Sequence, residues 1–304
     1  MKKLILISLI ALLSSLILNA QKADSIFSAA FMKYQRGDYS GSIIDYSKVI
    51  QLKPDDIDAY FNRAISYDKN NEFKKAIADL NKLISLQSSA VNYLSRGQVY
   101  EHMGKPDLAI ADYSKAIELV PSYSPAYMSR ADAYFKTGKN ELAISDYEKI
   151  ISIYPKYAPV YFKLGIVNDE TQELEKAIQS YDLSIKFDST NAKCFYNRGF
   201  DYDELDKKVL ALKDYTKAIS IDSTYIDAYF NRAYIYDELE LYNEAIADYT
   251  KVISLEKDAT DAYFNRGLAK ASLGRHADCC SDIKKAAELG DKAAKKYYKL
   301  NCAK

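Results

Sequence analysis

The chain has 304 residues, and 42 Lys+Arg balance 42 Asp+Glu, so its formal net charge is zero. With 48% hydrophobic and 28% charged residues it is globular rather than disordered in composition. A neutral chain lacks the surplus of cations that phosphate contacts need, which argues against nucleic-acid binding. Two His and four Cys leave little material for metal or triad chemistry, so no catalytic activity, metal or cofactor is expected.

At the N-terminus, Lys2 and Lys3 precede an apolar run from Leu4 to Leu18, broken only by Ser8, Ser14 and Ser15. That run is shorter than the roughly 20 residues that span a bilayer comfortably. Ala20 suits the position before a signal-peptidase cut. A signal peptide over 1–20 is expected, and with it export to the periplasm, cell envelope or extracellular space. The competing reading is an uncleaved anchor; no other membrane contact is expected.

After the signal, one word keeps returning: AYFNRA at Ala59–Ala64, AYMSRA at Ala126–Ala131, AYFNRA at Ala228–Ala233 and AYFNRG at Ala262–Gly267. The small residue that closes it stands at 30, 64, 97, 131, 165, 199, 233 and 267, steps of 34 residues with a single step of 33. A fixed period in this range marks a solenoid or array. With that residue as position 8, eight repeats follow: 23–56, 57–89, 90–123, 124–157, 158–191, 192–225, 226–259 and 260–293. Positions 4, 8 and 11 share one helical face, and 20, 24 and 27 share another. Between them lie breakers such as Gly37, Gly104, Gly138 and Gly274, or the pair Asn70-Asn71. Each repeat is therefore expected to be two antiparallel helices, touching where position 8 faces the small residue of position 20. Positions 4, 11 and 24 hold 17 of the 28 tyrosines, so the Tyr excess reads as core packing.

Position 7 is Arg in six repeats and position 23 is Asp in seven. Repeat 5 loses both together, with Leu164 and Ser180. Pairing within a repeat matches six Arg to six Asp and leaves Asp45 opposite Ala29, which predicts Arg–Asp bridges between the two helices of each repeat. An arginine ladder reading phosphates is the weaker alternative, because each Arg already has its carboxylate. After the last repeat, residues 292–304 are expected to form a capping helix and tail, with Ala293, Ala294, Tyr297 and Leu300 on the covering face.

The pattern aromatic-x3-[AG]-x2-Tyr, then Ala-x3-Tyr, then Pro, recurring every 34 residues, resembles the tetratricopeptide repeat over 23–293. Arg replaces that family's usual Leu at position 7, and its Trp is always Tyr, Phe or Ile here. The resemblance implies an all-α, right-handed solenoid whose inner surface is lined by the first helix of each repeat and takes a protein or peptide partner. Carried onto this sequence, the lining is an aromatic column at position 5 (Phe61, Phe162, Tyr196, Phe230, Phe264). Beside it run acids at positions 12 and 13: Asp68, Glu101, Asp169, Glu170, Asp203, Glu204, Asp237 and Glu238. Such a surface suits a segment bearing apolar and basic side chains. Against this stands the reading that the rings pack between repeats and the acids are a solvated face. Self-assembly through the exposed end faces, as a structural component of the envelope, is the second functional hypothesis.

The remaining candidates are few. His102 and His276 have no nucleophile matched to them by spacing, and no Gly-rich phosphate loop, HExxH or CxxC occurs. In an oxidising compartment one of Cys279 and Cys280 could bridge to Cys302. Cys280 is favoured because Cys279 fills the small position 20; free buried thiols are the alternative. Cys194 reads as a packed thiol.

Overall fold

The computed structural model describes the backbone of residues 2–303 and side chains from Asn19 onward, so the side chains of the expected signal peptide lie, through residue 18, outside what is described. Every regular element among the described residues is an α-helix. Repeats 1 to 4 are the pairs α1 (Lys2–Gln35) and α2 (Tyr39–Leu52), α3 (Ile57–Lys69) and α4 (Phe73–Leu86), α5 (Ala90–His102) and α6 (Pro106–Leu119), α7 (Ser124–Lys136) and α8 (Asn140–Ile153). Repeats 5 to 8 are α9 (Ala158–Glu170) and α10 (Leu174–Phe187), α11 (Ala192–Glu204) and α12 (Lys208–Ile221), α13 (Ile226–Glu238) and α14 (Tyr242–Leu255), α15 (Thr260–Ser272) and α16 (His276–Glu288); α17 (Lys292–Asn301) follows. They form two compact blocks, Met1–Pro155 and Lys156–Lys304. Within each block every helix packs on the next one in sequence.

The turn inside each repeat has one solution used eight times. Position 15 is left-handed throughout, at Gly37, Asn71, Gly104, Gly138, Gln172, Asp206, Glu240 and Gly274, with φ between 55° and 81°. The next residue's N–H then donates to the carbonyl of position 11, as from Glu72 to Tyr67 and from Leu241 to Tyr236, both at 2.8 Å. This is the hydrogen bond that closes a helix on a left-handed residue and satisfies a carbonyl the helix leaves free. Four of these positions lack Gly, so each accepts some backbone strain in exchange for a reversal of fixed geometry.

The core is a column of rings. Tyr46, Tyr113, Tyr147, Tyr181, Tyr215 and Tyr249, all at position 24, are fully buried. They lie against position 8, in the same buried clusters as the small residue of position 20, as Ala233, Ala245 and Tyr249 show. A Cβ added to Gly97 or Gly165 would come within 2.4 Å of the Tyr113 or Tyr181 ring, and Gly199 faces Tyr215 in the same way. At Gly267, opposite Ile283, an added Cβ would also stand 3.3 Å from the Cys279 carbonyl oxygen of position 20.

The covering face of α17 also differs from expectation. Ala294 is fully buried, and Tyr297 and Tyr298 pack on Cys279, Ile283 and Ala286. Leu300 is 61% exposed and Ala293 is exposed too. The buried stripe follows the i, i+3, i+4 spacing from Ala294, which places Ala293 and Leu300 off the contact line. Asp291 caps the helix by accepting from the Ala294 N–H.

Candidate functional site

The six arginines of position 7 are structural clasps. In each, Nε and Nη2 donate to the two oxygens of the position-23 Asp, at 2.6–2.8 Å, from Arg63–Asp79 to Arg266–Asp282. The guanidinium of the first five also lies between the aromatic rings of positions 4 and 11, as Arg63 does between Tyr60 and Tyr67. Nη1 reaches back to position 25 of the preceding repeat: Ser47, Asn81, Ser114, Asp182, Thr216 or Thr250. Each of these six forks is thus used within its block, which leaves none of the six free to read an anion. Asp45, opposite Ala29, is taken instead by Lys33 and Lys48. Repeat 5 replaces the charged clasp by a neutral contact, with the Asn168 amide donating to Ser180 at 3.4 Å.

The aromatic column of position 5 is half-buried and tied to the core. Phe162, Tyr196 and Phe230 meet the rings of Tyr181, Tyr215 and Tyr249 at centroid distances of 6.1, 5.7 and 5.6 Å. Phe61 and Phe264 pack against buried clusters of their own repeats. These rings therefore offer ring edges to a ligand rather than whole free faces.

The acids divide into two kinds. In the N-terminal block each is answered. Asp68 meets His102 Nδ1 at 2.8 Å, while Glu101 accepts from the Tyr113 hydroxyl and lies 3.1 Å from Lys136. Position 12 of one repeat thus faces a basic residue at position 13 of the next. In the C-terminal block, position 13 of the following repeat is Glu204 or Glu238, so acid faces acid. Glu170 and Glu204 repel charge on Asp169, and Glu238 does so on Asp203 and Asp237. Burial, with that repulsion added, holds Asp169, Asp203 and Asp237 above the ordinary carboxyl range. Lys208, 3.3 Å from Glu238, partly offsets the repulsion at Asp203.

One residue of this face was not among the expected site residues. Asp201 occupies position 10 of repeat 6, where the other repeats place Met32, Ser66, Val99, Ala133, Val167, Ile235 and Ala269. Its side chain is 0% exposed, and neither carboxylate oxygen finds a donor among the described residues. Asp169 and Glu204 are the charged groups that act on it. Desolvation first, then the Asp169 charge, push it well above the usual carboxylate range. Aligning the repeats column by column exposes it as the single ionisable residue in an otherwise uncharged column. A search for sign bias at positions 12 and 13 passes over it.

At the C-terminus, Cys280 and Cys302 are joined in a disulfide with Cα atoms 5.5 Å apart, and Cys194 and Cys279 are buried free thiols. Among the described residues no group of His, Cys, Asp and Glu is arranged to hold a metal ion, and no helix is long and apolar enough to cross a membrane.

Comparison with known proteins follows the same periodicity. Residues 32–71 match the family described as "TPR repeat". Residues 57–89, 90–123, 124–157, 158–191 and 226–258 match families described as "Tetratricopeptide repeat". Among curated proteins, the TPR repeat-containing protein MJ1428 of Methanocaldococcus jannaschii is 29% identical over 82 residues, which are 27% of this chain and 14% of that protein. Among solved structures, MamA is 29% identical with a TM-score of 0.53 and covers 57% of this chain and 94% of its own. The C-terminal part of a TPR repeat-containing protein from Cytophaga hutchinsonii has a TM-score of 0.66 at 20% identity, covering 79% of this chain and 98% of its own.

Proposed function

The chain belongs to the tetratricopeptide repeat family, and we propose that it is an exported, non-catalytic scaffold that binds a basic protein segment on the first-helix face of its C-terminal block. The family membership and the solenoid neighbours support a protein-interaction scaffold in general. What supports this face in particular is the row of half-buried acids on α9, α11 and α13, where Lys208, beside Glu238 and Asp203, is the counterpart among the described residues of the cations that answer Asp68 and Glu101 in the other block. Buried carboxylates that repel one another cost stability. A row of them fits a surface completed by a partner's Lys or Arg. Export is supported by the basic start and apolar run of the N-terminus, and by the Cys280–Cys302 disulfide, a bond that persists in oxidising compartments.

Affinity capture from a cell-envelope extract tests this, with the full chain as one bait and a variant carrying Asp203, Glu204, Asp237 and Glu238 changed to Ala as the other. A protein held by the first bait and lost from the second supports the acidic face. Equal retention by both moves binding to another surface. Capture only of further copies of the chain favours self-assembly.

A further inference from the structure

Asp201 is the least affordable residue in the molecule. A fully buried carboxyl stands in a column of Val, Ala, Ile and other uncharged residues, with both oxygens unpartnered. Its neighbours make the position worse. Facing it are Asp169 from α9, Tyr181 from α10 and Tyr215 from α12, with Glu204 one turn along its own helix. The charges acting on Asp201 are those of Asp169 and Glu204, both acidic. Two ionised carboxylates are acceptors only, so Asp169 and Asp201 can bond to each other only while one of them keeps a proton. Tyr215, also fully buried beside the pair, has a hydroxyl with no partner. Valine at position 10 serves Val99 and Val167 without any of this. Packing therefore does not explain an aspartate here.

We propose that the Asp169–Asp201 pair is a cation seat, where the C-terminal block takes a lysine side chain of a partner segment in exchange for the proton the two carboxyls share. This rests on the reading of that face as a protein-binding surface, and adds to it both the anchoring residue type and a linkage to protons. Asp169 is only half-buried and meets the ammonium first. Asp201, the fully buried member, then releases its proton to solvent, and two carboxylates face one ammonium. A slender methylene stem with a compact charge approaches a fully buried carboxyl more readily than the wide fork of arginine. Binding accordingly releases protons and strengthens as pH rises.

Isothermal titration of the full chain tests this with a short N-acetylated, C-amidated Lys/Ala peptide, against the same peptide with norleucine or arginine for lysine. Runs at about pH 6 and about pH 9, in buffers of different ionisation enthalpy, count the protons exchanged. The expected result for the lysine peptide is net proton release at about pH 6 and several-fold tighter binding at about pH 9, with weaker binding of the arginine peptide and none of the norleucine peptide. Asp201→Asn keeps the shape and the neutral hydrogen bond, so it should fold, bind weakly and release no proton. If the peptide binds with no proton release, or Asp201→Asn behaves as wild type, the seat is refuted while the acidic face stands. If no lysine or arginine peptide binds at either pH, the acidic face falls with it. Spermidine and Mg²⁺ form the remaining arm: should they displace the proton while the peptide does not, the seat takes free cations and the assignment to a polypeptide fails.

Discussion

Arg198 donates from Nε and Nη2 to the two oxygens of Asp214, both at 2.7 Å, while its Nη1 reaches Asp182 in the repeat before. The side chain of Asp214 is nearly buried, so its charge depends on that fork. Changing Arg198 to Met keeps an apolar stem and removes the cation, with an expected loss of about 3–5 kcal/mol, the usual result of orphaning one member of a buried pair. Changing Asp214 to Leu at the same time should recover most of that loss, because the pair's attraction largely offsets its desolvation. Urea unfolding of both variants decides the matter. A double variant as unstable as the single one would mean that the clasp stabilises the stack outright.

The left-handed turns give a gain-of-stability test. Gln172 and Glu240 hold φ of 61° and 60° at the position where four other repeats use Gly. A side chain in that region costs about 1 kcal/mol or more, and Gly gives back part of this through its greater unfolded-state entropy. Gln172→Gly and Glu240→Gly should each stabilise by about 0.5–1 kcal/mol, while Gly138→Ala destabilises. Thermal melts of the three variants check the sign at each site.

The clasp was legible in the sequence because Arg and Asp vanish together at Leu164 and Ser180, which a chance pairing would not do. Its third bond was not legible. The partners Ser47, Asn81, Ser114, Asp182, Thr216 and Thr250 share only a polar atom at the right reach, so the column looks like ordinary surface. Small residues at 8 and 20 point to a close approach of the two helices, but not to the tyrosine of position 24 whose ring fills the space against position 8. The division of the acids also escaped the sequence, since Asp68 and Asp169 occupy the same column and differ only in what the next repeat sets opposite: His102 for one, Glu204 for the other.

The disulfide closes a loop of 22 residues that carries α17. Chain entropy for a loop of that size corresponds to about 3 kcal/mol. Cys302→Ser, or mild reduction, should therefore loosen α17 and expose Ala294 and Tyr297, leaving the repeats of the other block as they were. Hydrogen exchange localised to 276–301 reads this. Cys194 provides an internal control: burial pushes its thiol up to about 11. It should resist thiol reagents in the folded chain, even after the disulfide is opened.

Asp201 makes stability depend on pH in a stated direction. Its folded value is raised above the ordinary 3.8, first by burial and then by the Asp169 charge. The folded chain thus holds a proton that the unfolded chain has released. For a group shifted in this sense, the associated stability is complete below the unfolded value and is lost as pH rises through the folded one. Wild type should accordingly weaken from mildly acidic to mildly alkaline solution, with Asp169, Asp203 and Asp237 adding in the same direction. Asp201→Val restores the residue that Val99 and Val167 supply in their own repeats, and should remove the largest share of this slope. The variant's advantage should grow with pH to on the order of 2 kcal/mol, the cost of holding a charged group in an apolar column. Melting temperatures of both proteins across that range provide the measurement. Parallel pH curves would show that Asp201 keeps no proton, and a variant less stable than wild type at every pH would show that the carboxyl packs better than valine.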